Sequence, residues 1–230
     1  MSPSQALQPF RTGVLILAAG AGRRMGGRAK CLLEVEGHSL LERLVRSVRS
    51  LGLHTPVLVL GHHAAEIQAH LAQWPEHLTP RQVINPAPED DPASSLHIGL
   101  HALGNDVQAV MVLLADQPLI NAADIGAVLD AFQRRPSGCQ VLVPMVNGVP
   151  GHPVMFDAAV RSDLLASPGS SLRPWRAAHP HATLSWAVDN PHHTRDLDTP
   201  DDLNALARDT GWVCRWPEPA PGVNTDPVSG

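Results

Sequence analysis

The sequence predicts an α/β fold built on a doubly wound, mostly parallel sheet in a single domain. Three observations carry this. Short apolar runs rich in β-branched residues recur along the first half of the chain. They are apolar throughout rather than alternating, as strands covered on both faces are. Helical patterns lie between them, and strand–helix alternation of this kind implies right-handed βαβ units.

The elements follow in order. Gly13 to Ala19 (GVLILAA) reads as a buried strand. In Ser39 to Leu51 the apolar Leu40, Leu41, Leu44, Val45, Val48 and Leu51 recur with nearly a 3.6 period, which marks an amphipathic helix. Pro56 to Leu60, Gln82 to Asn85 and Ala109 to Ala115 are further strands; Ala64 to Leu71, Ser94 to Leu103 and Ala122 to Phe132 are further helices. After residue 136 the rhythm changes. Val141 to Val146 and Val154 to Phe156 read as strands around the turn Asn147-Gly148-Val149-Pro150-Gly151. Short helices follow at Ala158 to Leu165 and Leu172 to Ala178, then a strand at Thr183 to Val188. Thr199-Pro200-Asp201-Asp202 begins a last helix with a hydroxyl cap, a proline at the first position and acids in the first turn. Residues 12–210 are thus expected to form the domain. The proline-rich stretch 211–230, with little pattern from Trp212 onward, reads as a mobile tail.

Bulk properties narrow the function. With 230 residues, 43% of them hydrophobic, the chain builds one sizeable core. A net charge of −5 argues against a general nucleic-acid binder. No apolar run reaches membrane-spanning length, and Met1 to Arg11 has no signal-type apolar core, so a cytoplasmic location is expected. Cys31, Cys139 and Cys214 form no CxxC pair and suggest neither a disulfide framework nor a structural zinc site. Of the 13 histidines, His62-His63 and His192-His193 are adjacent pairs. His97 and His101 share a helical face but lack the acid of a zinc-protease motif, so solvated or hydrogen-bonded side chains are the expectation.

The most informative segment begins where the first strand ends. Gly20, Ala21 and Gly22 let the backbone bend and approach a ligand, and successive N–H groups there form an anion nest. Arg23, Arg24, Arg28 and Lys30 follow within eight residues, with no acid among them. Such a loop asks for a polyphosphate. It is not a Walker A loop, since Lys30 is followed by Cys31. The dinucleotide fingerprint fails because the gap between Gly22 and Gly26 is one residue too long. No acid closes the strand ending at Leu60 to bind a ribose, which disfavours a nicotinamide-dependent oxidoreductase. Asp116 stands just past a strand's carboxyl end and should face the glycine loop. A carboxylate beside a triphosphate calls for an intervening cation such as magnesium. In Asp196-Leu197-Asp198 the two acids alternate about Leu197, and Asp198 is the natural second ligand. Ser94 and Ser95 open a helix, where serine is a standard N-cap; near Asn85 they also suit recognition of a base or ribose.

The stretch LAAGAGRRMGGRAKCL, Leu17 to Leu32, resembles the signature of the nucleotidyltransferases of molybdenum cofactor maturation, and more broadly of sugar-phosphate nucleotidyltransferases. Later segments agree in order: Asn85-Pro86, Ser94-Ser95-Leu96, Ala115-Asp116-Gln117-Pro118, Gly151-His152-Pro153 and Asp196 to Leu203 look like the cytidylyltransferase branch. The resemblance runs from about Gly13 to Leu206. It implies a Rossmann-like fold of the nucleotide-diphospho-sugar transferase kind and NMP transfer from an NTP, CTP before GTP, because the first segment reads LAAG rather than LAGG. The implied acceptor is phosphorylated, molybdenum-bearing molybdopterin first; a sugar phosphate or another small phosphorylated alcohol is the alternative. A non-catalytic nucleotide-binding partner of a molybdoenzyme is a further one, and a molybdoenzyme or its chaperone is an implied partner. The resemblance makes Asp116 the Mg2+ ligand, with Asp198 beside it. Arg24 and Lys30, with Gly22 and Arg23, would hold the triphosphate. Ala18, Ala19 and Gly20 would meet the base, and His152 the acceptor. Two positions depart from the branch: Asp91 stands where glycine is usual, and Pro150 where arginine usually precedes Gly151.

Overall fold

The structure is a computed structural model, and it describes residues 11–88, 93–167 and 169–217. Asp91 lies outside them. Strand β1 (Thr12–Ala18) takes the middle of the sheet, as its buried run of Thr12 to Ile16 requires. It pairs in parallel with β4 (Val57–Leu60) on one side and β6 (Ala109–Leu114) on the other, and β5 (Arg81–Ile84) continues in parallel beyond β4. The register aligns Ala18 with Leu60, Leu17 with Leu114, and Leu60 with Ile84. Four strands therefore deliver their loops to one edge at one level.

Beyond β6 the sense of the sheet changes. β9 (Val154–Asp157) runs antiparallel between β6 and β7 (Val141–Val146), and β10 (Thr183–Ala187) closes that side in parallel with β7. A short β8 (Val149–Pro150) folds back on β7 through the tight turn at Asn147-Gly148. The strands thus match the expected mostly parallel sheet, with ends shifted by one residue at Thr12, Ala18, Val57, Arg81, Ile84, Leu114, Asp157 and Ala187.

Helices cover both faces, and β1 shows why. Val14 and Ile16 point into a core shared with α1 (Leu40–Ser50), α2 (Ala64–Leu71) and α4 (Ala122–Gln133). Leu15 points the other way, into a core shared with α3 (Ser94–Ala102), α5 (Ala158–Ala166) and α6 (Leu172–Ala178). Local chemistry starts the helices. Ser39 caps α1, Asn121 and Asp124 form a capping box on α4, and Asp157 caps α5. The last helix, α7 (Pro200–Thr210), opens on the predicted Thr199–Asp202 box with Pro200 at its first position.

Two expectations are corrected. The serines are not the N-cap of α3. Ala93 holds the cap position, and Ser94 and Ser95 lie in the first turn, where both hydroxyls accept from Asn85 Nδ2 at 2.7 and 2.9 Å. Of the predicted tail, residues 218–230 lie outside the described residues, and residues 211–217 do not leave the body of the protein at Trp212. β11 (Cys214–Arg215) adds to β2 (Glu34–Val35), which pairs in turn with β3 (His38–Ser39). Trp212 and Trp216 pack on a third small core of Leu33, Val35, Leu40, Leu197 and Leu206. The two tryptophans carry enough apolar area to hold residues 212–216 against that core.

Candidate active site

The glycine loop is shaped by one obligatory glycine. Gly22 has φ 62°, and a Cβ there would lie 2.1 Å from the Arg28 carbonyl oxygen. Its own carbonyl accepts from Met25 N at 2.8 Å and Gly27 N at 3.0 Å, so residues 22–27 close into a ring. Gly20 differs: nothing lies within 4 Å of where its Cβ would be, and it borders the open cleft. The absence of a side chain at Gly20 leaves room for a ligand, while Gly22 answers to the backbone. Met25 is buried as the anchor of the turn; Arg23 and Arg24 point outward.

Four charged side chains from three parts of the chain meet beside this loop. Lys30 Nζ donates to Asp116 Oδ2 at 2.5 Å and to Asp198 Oδ1 at 2.9 Å. Arg24 Nη2 donates to Asp198 Oδ2 at 3.0 Å. Asp116 arrives from the end of β6 and Asp198 from the segment before α7. The two segments are tied where Leu197 N donates to the Asp116 carbonyl at 3.0 Å. Burial works against the charge on Lys30, but Asp116 and Asp198 outweigh it and raise its pKa above the usual lysine value. The hydrogen bond from Lys30, helped by the charges of Lys30 and Arg24, holds Asp198 below the usual carboxylate range against partial burial. Two carboxylates that share one cation suit a hard divalent ion completed by phosphate oxygens, and the Lys30 ammonium occupies the position between them.

The loop and these acids line a cleft of about 700 Å³ at the sheet's carboxyl edge. Ala18, Ala19, Gly20, Gly22, Arg23, Arg24, Lys30, Ser95, Asp116 and Asp198 all border it. So do His62, His63 and Pro88, which the sequence reading left out. His63 Nε2 lies 3.0 Å from the Ala21 carbonyl oxygen and its Nδ1 3.5 Å from Glu66, so it braces the glycine loop from the β4 side. The signal was available: Gly61-His62-His63 directly follows a strand that ends at the same edge. Gly61 must be small, since a Cβ there would come within 2.6 Å of the Ala19 carbonyl oxygen. Cys31 also borders the cleft, but burial pushes its thiol up to about 12, so it stays protonated.

The other predicted residues stand further back. Asn85 borders an adjoining hollow with Gly61 and His62; its amide serves Ser94 and Ser95, and its carbonyl oxygen accepts from Ala87 N at 3.1 Å. Asn85 therefore fixes the start of α3. His152 does not border the main cleft. Its backbone exchanges hydrogen bonds with His193, N to carbonyl at 2.8 Å and carbonyl to Nδ1 at 2.8 Å, and Gly151 is pressed against the His193 backbone. Burial lowers the His152 pKa to about 4; Asp116 opposes the shift and the positive charge of Arg176 adds to it. Arg176, on α6, was not singled out from the sequence. Its Nε is buried without a hydrogen-bond partner among the described residues. Asp196 lies on the same side of the buried Leu197 as Asp198 and accepts from Gln117 Nε2 at 2.8 Å. Gln117 Nε2 also donates to the His193 carbonyl at 3.0 Å, which links the Gly151-His152 turn to the Asp116 loop.

A Rossmann-type sheet whose carboxyl edge carries a glycine loop and cations, with a pair of acids opposite, is the framework of a nucleotide-handling protein. The chain belongs to the MobA-like NTP transferase domain family, which it matches over residues 14–196. It is a nucleotidyltransferase-type chain by that membership. Nicotine blue oxidoreductase of Paenarthrobacter nicotinovorans is 30% identical over 158 residues, 66% of this chain and 74% of that one. Bifunctional GlmU proteins also match, and the chain spans between 24% and 31% of their length. Among solved structures, Rv0371c from Mycobacterium tuberculosis H37Rv superposes with TM-score 0.70 at 25% identity over 86% of this chain and 97% of that one. Its complex with manganese gives TM-score 0.67 at 23% identity over 87% and 100%. The 4-diphosphocytidyl-2C-methyl-D-erythritol synthase of Anaerococcus prevotii shares the fold with TM-score 0.64 at 17% identity, over 86% of this chain and 95% of that one. Among the described residues no helix is long and apolar enough to cross a membrane.

Proposed function

We propose that the protein is a magnesium-dependent nucleotidyltransferase that moves CMP from CTP to a phosphorylated acceptor, molybdenum-bearing molybdopterin first among them, and releases pyrophosphate. One observation carries the reading: Lys30 is shared between Asp116 and Asp198 at the mouth of the glycine loop. The solved manganese complex of a similar fold and the diphosphocytidyl synthase likeness support a divalent cation and a cytidine nucleotide. Asp116 and Asp198 would hold the cation, which when bound neutralises phosphate charge. The loop N–H groups with Arg23, Arg24 and Lys30 bind the triphosphate, and Lys30 exchanges a carboxylate for a phosphate oxygen. An acceptor phosphate oxygen then attacks the α-phosphorus in line. The bond to the bridging oxygen breaks, and its electron pair leaves on pyrophosphate. No side chain need carry the transferred group, so catalysis is positioning and charge neutralisation.

The base sits against Ala18, Ala19 and Gly20, with the first turn of α3 at Ser95 offering a hydroxyl. Acceptor phosphate meets His152 and Arg176; Arg176 supplies the cation that Pro150 does not. A cytoplasmic site of action and a molybdoenzyme or its chaperone as recipient complete the proposal. A second reading is favoured by one observation, the match to a relative named as an oxidoreductase. Against it stand the glycine spacing and Leu60-Gly61 at the end of β4, where a ribose-binding acid would be expected. Pyrophosphate release with each of the four NTPs and a panel of phosphorylated acceptors tests the proposal. Preference for CTP over GTP by roughly a hundredfold supports it. Equal or reversed preference removes the cytidine assignment, and nicotinamide oxidation without pyrophosphate supports the second reading.

A further inference from the structure

We propose that the segment around Trp216 is a positioning strap for the glycine/arginine loop, and that Trp216, through Arg28, sets the loop's affinity for triphosphate; the choice of ligand rests on the function proposed above. Past α7, Gly211 turns the chain back with φ 73°, and Cys214–Arg215 pairs antiparallel with Glu34–Val35. Strand alternation then sorts the side chains: Trp212, Cys214 and Trp216 face the small core, while Val213 and Arg215 face solvent. This places the Trp216 ring beneath the Arg28 guanidinium, 5.1 Å from the ring centroid.

Arg28 is the side chain by which this part of the loop is held. Between the buried Met25 and Ala29 lie Gly26 and Gly27, both left-handed at φ 74° and 67°, with no side chain to pack and nothing within 4 Å. The Arg28 carbonyl is the floor under Gly22, and that contact packs residue 28 against the turn that lines the cleft. The same small core contains Leu33, three residues after Lys30, and Leu197, next to Asp198. The strap therefore bears on the anion loop and on the segments that carry two of its charged partners. Without the ring, the exposed Arg28, between Gly27 and the buried Ala29, loses the aromatic face it stacks on.

The test compares full-length wild type with Trp216→Leu, Trp216→Phe, Arg28→Gln and the Trp216→Leu/Arg28→Gln double variant. Binding of CTP with magnesium is titrated, and amide hydrogen exchange is measured over residues 22–30. Trp216→Leu should weaken CTP binding about fivefold or more and raise KM in step, with kcat within about twofold; Trp216→Phe, which keeps a π-face, should stay within about twofold. The double variant should be no worse than the weaker single, and exchange over 22–30 should quicken in Trp216→Leu. Unchanged affinity and exchange in a folded Trp216→Leu, or additive losses in the double variant, overturn the proposal. If Trp216→Leu does not fold, Arg28→Gln leaves the core intact and gives the reading: faster loop exchange supports the strap, unchanged exchange overturns it. A wild type that binds no NTP refutes the proposed function instead, and the exchange comparison still decides the strap.

Discussion

Lys30 is where the charges of the site balance. Removing its ammonium leaves Asp116 and Asp198 facing each other in a partly buried cleft. Lys30→Met should weaken NTP binding or turnover at least tenfold, ~1.4 kcal/mol, by titration and steady-state kinetics with the fold intact. Unchanged values for both would remove Lys30 from the site. The pH dependence follows in sign from the shifts. The raised Lys30 value means its stabilisation is complete below the usual lysine range and lost as pH rises through the folded value. The lowered Asp198 value means its share is complete above the usual carboxylate range and lost as pH falls through the folded value. Between those limits the pair is constant.

His152 behaves differently. Its folded pKa, about 4 against 6.5, makes the unfolded chain bind the proton first. Stability should fall as pH drops between those values, by up to ~3 kcal/mol for this group. His152→Gln should flatten that slope in denaturant titrations repeated across the window; an unaltered slope contradicts a buried neutral His152. The glycines, arginines and acids of the site were legible because their types announce phosphate chemistry in a local run. Arg176 was not, since a lone arginine on a short helix looks like solvated surface until the fold brings it near His152, and His63 was legible only from its place after a strand that ends at the ligand edge.

At the scale of elements, capping and periodicity identified α1, α4 and α7, because those signals are local. The helix α3 shows what local signals miss. Its first turn meets the cleft, yet its start is set by Asn85 from a neighbouring strand end. Its far end is held by Arg161 of α5, whose Nη1 donates to the Gly104 carbonyl at 2.8 Å and whose Nη2 donates to Leu100 and Leu103 carbonyls at 2.8 and 2.9 Å. These carbonyls have no helical partner, and a buried cation suits the negative end of the helix. Arg161→Met should destabilise the fold by about 3 kcal/mol in urea unfolding, through three stranded carbonyls. A loss within about 0.5 kcal/mol would show that water replaces the guanidinium. The sheet of β2, β3 and β11 escaped the sequence reading because two-residue strands carry no period, and the tryptophans that pin β11 sit among prolines.

Across the whole molecule, the parallel half of the sheet was readable from apolar runs, and the antiparallel insertion of β9 was not. Strand order depends on contacts between distant segments, and nothing in Val154 to Phe156 states which neighbours it takes. That order matters, because β9 beside β6 brings the Gly151-His152 turn to the Asp116 side of the sheet. On the proposed function, the parallel half would bind the nucleotide and the mixed half would frame the acceptor. The claim that joins them is transfer of the nucleotidyl group across Asp116. CTP labelled at its α-phosphorus, incubated with magnesium and the molybdopterin acceptor, tests it most directly. The account predicts that label moves to the acceptor with wild type, stops on adding EDTA, and is almost lost with a correctly folded Asp116→Asn. Label that stays in CTP with wild type, or moves equally well with Asp116→Asn, would contradict it.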